Sequence, residues 1–401
     1  MLGFSFASMI AADDAFGATL RIVNWNIEAD LNTDGTGTFA SNGSVTPLAT
    51  VLQGIGSISL TGGGVAHAQP VDAIALQEVG SSAGSSTTPD PVEMNALVSA
   101  LNNSYGANTY AYVTTSDPVN PGQGSGPSSL IYNTKTLSVV SSAAIGTSST
   151  SGAARAPMQY VLQPQGYGSA ARFYLDVVHM KSGTDSTSIS RRGVEAQSIV
   201  SNTQGLSSNS HVVVLGDFNI TGGSSEATYT DLVGTSQQAG EFSDSGAPSK
   251  SWSSDSSHAA LLSEHSYNVQ YRDDMQLVSA AAGSSSGVPG LQYDSGSYTV
   301  FGNFGNSSVY GKSVMDSTNN PGSYSGLTSG QLSAVLTALA GTGGTTNSNN
   351  DASSDHLPII ADYDIVGVPT PEPAAALFLL PLAFCTWRLR RPSISKGGNT
   401  T

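Results

Sequence analysis

Cysteine is almost absent from this chain: its single one, Cys385, lies close to the C-terminus. A disulfide-stapled fold and a cysteine-based zinc site are thereby excluded for the rest of the sequence. Charge is scarce as well, at 11% of residues, and positive charge most of all, with 14 Lys and Arg against 29 Asp and Glu. Four of the basic residues (Arg388, Arg390, Arg391, Lys396) sit in the C-terminal tail, and without residues 372–401 the balance is 10 basic against 28 acidic. Such a surface repels polyanions at long range, so a nucleic acid would have to be met by a local basic groove or through bound divalent cations. No internal repeat, Gly-rich phosphate loop or Cys/His zinc spacing is present. The apolar run Ala374–Trp387 is 14 residues long, short of the roughly 20 that a spanning helix needs.

What is present suits a β-rich exported protein with long polar loops. The chain has 401 residues, 38% of them apolar, with abundant Gly, Ser and Thr. This is enough for one large domain or two ordinary ones. Met1–Ala12 is modestly apolar but has no basic start, and Ala15-Phe16-Gly17-Ala18 could close a signal peptide, so residues 1–18 read as a weak export signal.

The stretch His211-Val212-Val213-Val214-Leu215-Gly216-Asp217-Phe218-Asn219 organises the rest. Four apolar residues in a row read as a strand buried on both faces. Asp217 and Asn219 follow where that strand emerges at its carboxyl end, a usual place for an active site in an α/β sheet. On an extended backbone the two would point to one side. The segment alone is equally well read as a strand closing in an Asx turn.

Other apolar runs end in polar groups in the same way. Leu20–Ile27 is a strand that would put Asn26 and Glu28 on one face, and Val71–Leu76 ends in Gln77-Glu78. Residues 30–70 read as an irregular insertion. Val92–Asn102 is predicted to be a helix, with Met94, Leu97, Val98 and Leu101 at helical spacing. Ser129–Asn133 is a strand with Thr136–Val140 as its hairpin partner or extension. Arg155-Ala156-Pro157 leads into strand Met158–Leu162, and strand Arg172–Met180 carries His179 near its end. Lys181 and Ser182 beyond it could line the site but read rather as solvated loop. Arg191–Asn202 is predicted as a helix with Val194, Ser198 and Ile199 inward. Residues 221–258 offer few anchors. A strand opens on the doublet Asp273-Asp274, Leu332–Leu339 is a short helix, and 342–354 is a polar loop. Ser354-Asp355-His356-Leu357-Pro358 then precedes a final strand.

The segments Asn24-Trp25-Asn26-Ile27-Glu28, Leu76-Gln77-Glu78-Val79, Gly216-Asp217-Phe218-Asn219 and Ser354-Asp355-His356-Leu357-Pro358 resemble, in that order, the endonuclease/exonuclease/phosphatase superfamily of deoxyribonuclease-like proteins. The resemblance spans about residues 19–366. It implies an α/β fold of two packed β-sheets flanked by helices, a four-layer sandwich with the site at one end, in keeping with many short strands and few helices. It also implies metal-dependent hydrolysis of phosphodiesters by a chain acting as a monomer. Glu78 would be the principal ligand of Mg²⁺ or Mn²⁺, with Ca²⁺ a further candidate, and Asn26, Glu28 and Asp355 would stand in or near its shell. Asp217 would activate water, and Asn219 would hold that water or the phosphate. His356 would contact a phosphoryl oxygen, oriented by Asp274. His179 would be the acid for the leaving oxygen, and Arg155 would contact phosphate. Two positions depart from the family pattern: Val177 stands where many members carry Asn, and Asp273 stands where an apolar residue is usual, so the doublet leaves two candidate partners for His356.

The end of the chain, Pro371-Glu372-Pro373, the apolar run and Arg388-Leu389-Arg390-Arg391, resembles the PEP-CTERM sorting signal of Gram-negative bacteria. That resemblance implies a tail over 367–401 with a short apolar helix and transient residence in the inner membrane as an anchor. Processing by an exosortase and a periplasmic, cell-surface or extracellular destination would follow. The expected activity is an exported nuclease acting on DNA or RNA. A phospholipid or sugar-phosphate esterase of the same superfamily is the alternative, because substrate choice lies in loops rather than motifs. A non-catalytic matrix protein fits less well, since no core motif residue is lost.

Overall fold

The computed structural model describes residues 18–27, 45–62, 65–79, 91–114, 127–234, 241–247, 254–264, 269–284, 286–319, 324–340 and 354–367. Glu28, the N-terminal export segment, the 342–353 part of the polar loop and the C-terminal sorting tail with its apolar helix lie outside the described residues. No helix among the described residues is long and apolar enough to cross a membrane.

The chain enters on β1 (Thr19–Asn26) and continues through α1 (Val45–Ser57), a hairpin of β2 (Ser59–Gly62) and β3 (Val65–Ala68), and β4 (Ala73–Gln77). Then come α2 (Pro91–Tyr105), β5 (Tyr110–Tyr112) and β6 (Ser129–Asn133). The second half of the sandwich is built from β7 (Leu137–Ala144), β8 (Met158–Pro164), β9 (Phe173–His179), α3 (Ser186–Gln204), β10 (His211–Asp217), α4 (Ala227–Val233), β11 (Phe242–Asp244) and β12 (Asp274–Ser279). The chain finally returns to the first half with β13 (Gly290–Tyr293), β14 (Thr299–Val300), α5 (Ser329–Ala340) and β15 (Ile359–Val366).

Two sheets result. One runs β13-β15-β1-β4-β6-β5, with β14 also on β15, and the other runs β11-β12-β10-β9-β8-β7. Each is mixed and has one parallel pair at its centre, β1 with β4 and β9 with β10. Alternation along the strands explains the layering. Leu20, Ile22, Ala73 and Ala75 of the first sheet meet Phe173, Leu175, Val213 and Leu215 of the second in the central core. On the outer side of the first sheet, Val23, Trp25, Ile74 and Leu76 pack against Leu48, Leu52, Leu97 and Leu336 of α1, α2 and α5. On the outer side of the second, Val178, Val212 and Val214 pack against Ala196, Ile199 and Leu232 of α3 and α4. The molecule is therefore two packed β-sheets flanked by helices. Arg21 ties two of these layers together: it pairs with Asp362 across β1 and β15 at 2.9 Å and donates to Ile55 O and Ile58 O at the end of α1, both at 2.8 Å.

Several local expectations are overturned. Within the stretch 30–70 the described residues are not irregular: Leu48, Val51, Leu52 and Ile55 give α1 one buried face, and the β2–β3 hairpin follows. β7 is not the hairpin partner of β6: it pairs with β8 in the opposite sheet, so the short turn between them carries the chain from one sheet to the other. On α3, Val194 is exposed, and the inward positions are Arg191, Arg192, Glu195, Ala196 and Ile199. The region 221–258, where the sequence offers few anchors, contributes α4 and β11.

Candidate active site

The central strands of both sheets end at one edge of the sandwich, and their last residues form the site. Across the second sheet the register sets Asp217 opposite His179 of β9 and opposite Asp274 of β12, giving one row of three functional groups. In the first sheet Asn26 of β1 is opposite Gln77 of β4, and Glu78 follows. Gly216 makes the close approach possible. Its φ is +135°, and a Cβ there would lie 2.1 Å from Val178 O.

Two further residues take left-handed backbone conformations that cost a non-glycine residue energy: Glu78 at φ 59° and Asn219 at φ 52°. Asn219 thus reaches Asp217 by a turn rather than by strand alternation. Its N–H donates to Asp217 Oδ1 at 2.8 Å, and its side-chain amide donates to Asp217 Oδ2 at 2.9 Å and to Met180 O at 3.1 Å. Asn26 joins the two sheets, donating from Nδ2 to Glu78 Oε1 and to Asp217 Oδ2, both at 3.1 Å. His179 Nε2 lies 3.3 Å from Glu78 Oε1 and 3.6 Å from Asp217 Oδ2.

The ligating atoms of Glu78, His179 and Asp217 all fall within 4.8 Å of one another. A buried and a half-buried carboxyl group and an imidazole with converging lone pairs fit a divalent cation in donor type. The electrostatics point the same way. Burial raises the Glu78 carboxyl above its ordinary range, and burial, with Asp274 and Glu78 adding to it against His356, pushes Asp217 up to about 7. A positive charge between them would restore both carboxylates. Asp355 stands close enough to Glu78 to act on its charge.

His356 is built into the opposite wall. Its Nδ1 is 2.7 Å from Asp274 Oδ2, an oxygen that also accepts from Ser263 Oγ at 2.8 Å. Ser354 stitches this loop to β1, donating to Asn26 O at 2.6 Å and accepting from His356 N–H at 2.9 Å, while Trp25 Nε1 donates to His356 O at 2.8 Å. Burial opposes a charge on His356, but Asp274 and Asp355 outweigh it and hold the imidazole well above its usual value. Asp355 Oδ1 lies 3.6 Å from its Nε2. Of the doublet, Asp274 holds the imidazole, and Asp273 accepts Phe218 N–H at its carbonyl, 2.8 Å away. His179 behaves oppositely: burial, reinforced by Arg155, His356 and Lys181, holds it neutral, well below its usual value.

Arg155 is buried, donates from Nη1 to Met180 O at 2.8 Å and to His179 O at 3.3 Å, and acts on the charge of Glu78. Ser263 and Glu195 were not visible in the sequence as parts of the site. Glu195 accepts the N–H groups of Ala154, Arg155 and Lys181 at 2.8, 2.9 and 3.0 Å, and its only sequence signal was a charge on the helix stretch that leads to β10.

No family model matches the sequence, and no curated protein matches it. Solved structures do resemble it. The human Nocturnin catalytic domain with bound sulfate is 14% identical, with 86% of this chain and 93% of that one covered and a TM-score of 0.48. D. rerio TDP2 complexed with a single-strand DNA product is 11% identical, with 86% and 99% covered and a TM-score of 0.47. An endonuclease/exonuclease/phosphatase family protein from Bacteroides thetaiotaomicron is 12% identical, with 87% and 95% covered and a TM-score of 0.47.

Proposed function

We propose that this protein is an exported, metal-dependent phosphodiesterase, an endonuclease that hydrolyses DNA or RNA. The observation that carries this reading is the meeting, at one end of the sandwich, of the Glu78–His179–Asp217 cluster and the Asp274-held imidazole of His356. Phosphodiester hydrolysis needs a positioned water, a proton acceptor for it, and positive charge against the phosphoryl oxygens. In this reading Asp217, fixed by Asn26 and Asn219, takes the proton from water. The water oxygen bonds to phosphorus as the bond to the leaving oxygen breaks. Charged His356 donates from Nε2 to a phosphoryl oxygen and Arg155 holds the phosphate, while Asn219, with its amide hydrogens on Asp217 and Met180, positions the Asp217 carboxyl. His179, kept neutral with its Nε2 facing Glu78 and Asp217, serves as a cation ligand, and the leaving oxygen takes its proton from solvent water. A divalent cation, Mg²⁺ or Mn²⁺, held by Glu78 with Asp217 and His179 and with Asp355 nearby, would supply charge neutralisation.

Export rests on the tail motif, with exosortase processing and release to the cell surface as its consequence. The test of the activity is incubation of the full chain with plasmid DNA and with bis-p-nitrophenyl phosphate, each with Mg²⁺, Mn²⁺ or EDTA. Metal-dependent nicking that is lost in Asp217→Ala supports the nuclease. Cleavage of the small ester with intact DNA moves the assignment to a lipid or sugar-phosphate esterase.

A further inference from the structure

Two buried polar atoms behind the Glu78–His179–Asp217 cluster have no hydrogen-bond partner among the described residues: Gln77 Oε1 and His179 Nδ1. The first is an acceptor, and the second can carry a hydrogen. Gln77 is the last residue of β4 and His179 the last of β9, and both are buried. A polar atom left unpaired inside a protein costs energy, so two of opposite kind at one site ask for a common explanation.

Strand geometry sets the two side chains against each other. The sheets are stacked so that β15, β1 and β4 lie over β12, β10 and β9, in that order. Gln276 of β12 ties the first pair: its Nε2 donates to Ile359 O of β15 at 3.3 Å, and its Oε1 accepts from Tyr363 Oη at 2.8 Å. Asn26 of β1 ties the second, reaching Asp217 of β10 at 3.1 Å. Gln77 is level with Asn26 on the next strand of its sheet, and His179 is level with Asp217 on the next strand of the other. Alternation turns both into the space between the sheets, in line with Ala73 and Ala75 on β4 and with Leu175 and Val177 on β9. Asn24 also has a buried amide without a partner among the described residues, but it sits deeper, level with Ala75. Gln77 Nε2 donates to Ala75 O at 3.3 Å, which leaves Oε1 as the end that can accept.

The chemistry of His179 requires such an acceptor. Its Nε2 faces Glu78 Oε1 at 3.3 Å and Asp217 Oδ2 at 3.6 Å. A neutral imidazole carries its one hydrogen on either nitrogen. With the hydrogen on Nε2, the ring would donate to those carboxylates and offer a cation no lone pair. To act as a ligand, Nε2 must be bare and the hydrogen must sit on Nδ1, where burial leaves it in need of a partner. Resting on the metal-dependent reading of the site, we propose that Gln77 is a positioning residue that sets the tautomer of His179. Its Oε1 takes the Nδ1–H through one bridging water and so keeps Nε2 open for the cation.

The experiment compares wild type, Gln77→Leu and Gln77→Glu as full chains and needs no turnover. Nitrogen NMR of the histidine rings reads the tautomer of His179, without metal and with Mg²⁺, and titration of the Tm with Mn²⁺ reads the affinity. Wild type is expected to carry the hydrogen on Nδ1. Gln77→Leu should move it to Nε2 and weaken Mn²⁺ binding about 10- to 100-fold. Gln77→Glu keeps an oxygen acceptor and should keep the wild-type tautomer. Gln77→Met, of similar length, replaces the Leu variant if that chain does not fold. The same tautomer, or the same Mn²⁺ affinity, in wild type and Gln77→Leu would overturn the assignment. If wild type binds neither cation, the metal-dependent reading fails, and the tautomer alone decides. A hydrogen that moves from Nδ1 to Nε2 in Gln77→Leu then supports the role of Gln77, and an unmoved one overturns it.

Discussion

His356 Nδ1 lies 2.7 Å from Asp274 Oδ2, between residues 82 apart in the chain. The carboxylate fixes the ring and favours its charged form, against the burial that would discharge it. Asp274→Asn keeps the shape and removes the charge. Activity at neutral pH is expected to drop by about two to three orders of magnitude. The alkaline limb of the pH–rate profile should move to lower pH, because the imidazolium is lost earlier. An unchanged alkaline limb would separate Asp274 from the titration of His356.

The residues that converge were legible because each closes an apolar run: Asn26 at the end of β1, Glu78 after β4, His179 on β9, Asp217 on β10. A polar group directly after a buried strand is a strong local signal, and strand ends gather at one sheet edge. Other features have no such signal. The left-handed backbone at Glu78 has no sequence signal, whereas that at Asn219 accords with an Asx-type turn onto Asp217. The inward face of α3 was misread because apolar spacing favoured Val194, whereas Arg191, Arg192 and Glu195 are buried against carbonyls and N–H groups of remote loops. α1 was missed because its apolar face is short and set among Gly, Ser and Thr.

Cation binding can be read without turnover. Glu78, Asp217 and His179 offer the ligand set, and a cation that binds only the folded chain stabilises it. Mn²⁺ should raise the Tm of wild type, and Glu78→Gln should abolish the rise. The shift should also grow with pH. The Asp217 carboxyl, raised to about 7, is protonated below that pH and competes with the cation, so the rise should be small at pH 5.5 and larger at pH 8. A rise of equal size in Glu78→Gln would place the cation elsewhere.

Asp176 tests burial away from the reaction. It is fully buried on β9, its Oδ1 accepts from Gln159 Nε2 at 3.0 Å, and burial lifts its carboxyl from 3.8 to about 7. Between those two values the folded chain keeps a proton that the unfolded chain has lost. Stability therefore falls as pH rises through that window, and the loss is complete above about 7. Roughly three pKa units correspond to at most about 4 kcal/mol. Asp176→Asn cannot ionise, so it should match wild type near pH 4 and exceed it at pH 8 in urea melts. A variant less stable than wild type at pH 8 would show that the ionised carboxylate has favourable partners.

Gly216 bears on why the Gly-Asp-Phe-Asn segment begins as it does. At φ +135° it brings β10 against β9 so closely that a methyl group would meet Val178 O at 2.1 Å, a backbone atom that cannot turn aside. The close approach sits one residue before Asp217 and helps fix where that carboxyl points. Gly216→Ala combines an unfavourable φ with a main-chain collision, so it should cost more than about 3 kcal/mol or prevent folding. Gly193 on α3 is the contrast, since a Cβ there meets nothing within 4 Å. Gly193→Ala should stabilise the chain by up to about 1 kcal/mol through helix propensity alone. Urea denaturation of the two variants measures both effects on one scale. A Gly216→Ala protein with wild-type stability would mean that β9 and β10 can part at this point, and the row of His179, Asp217 and Asp274 would then not be rigidly set by the sheet.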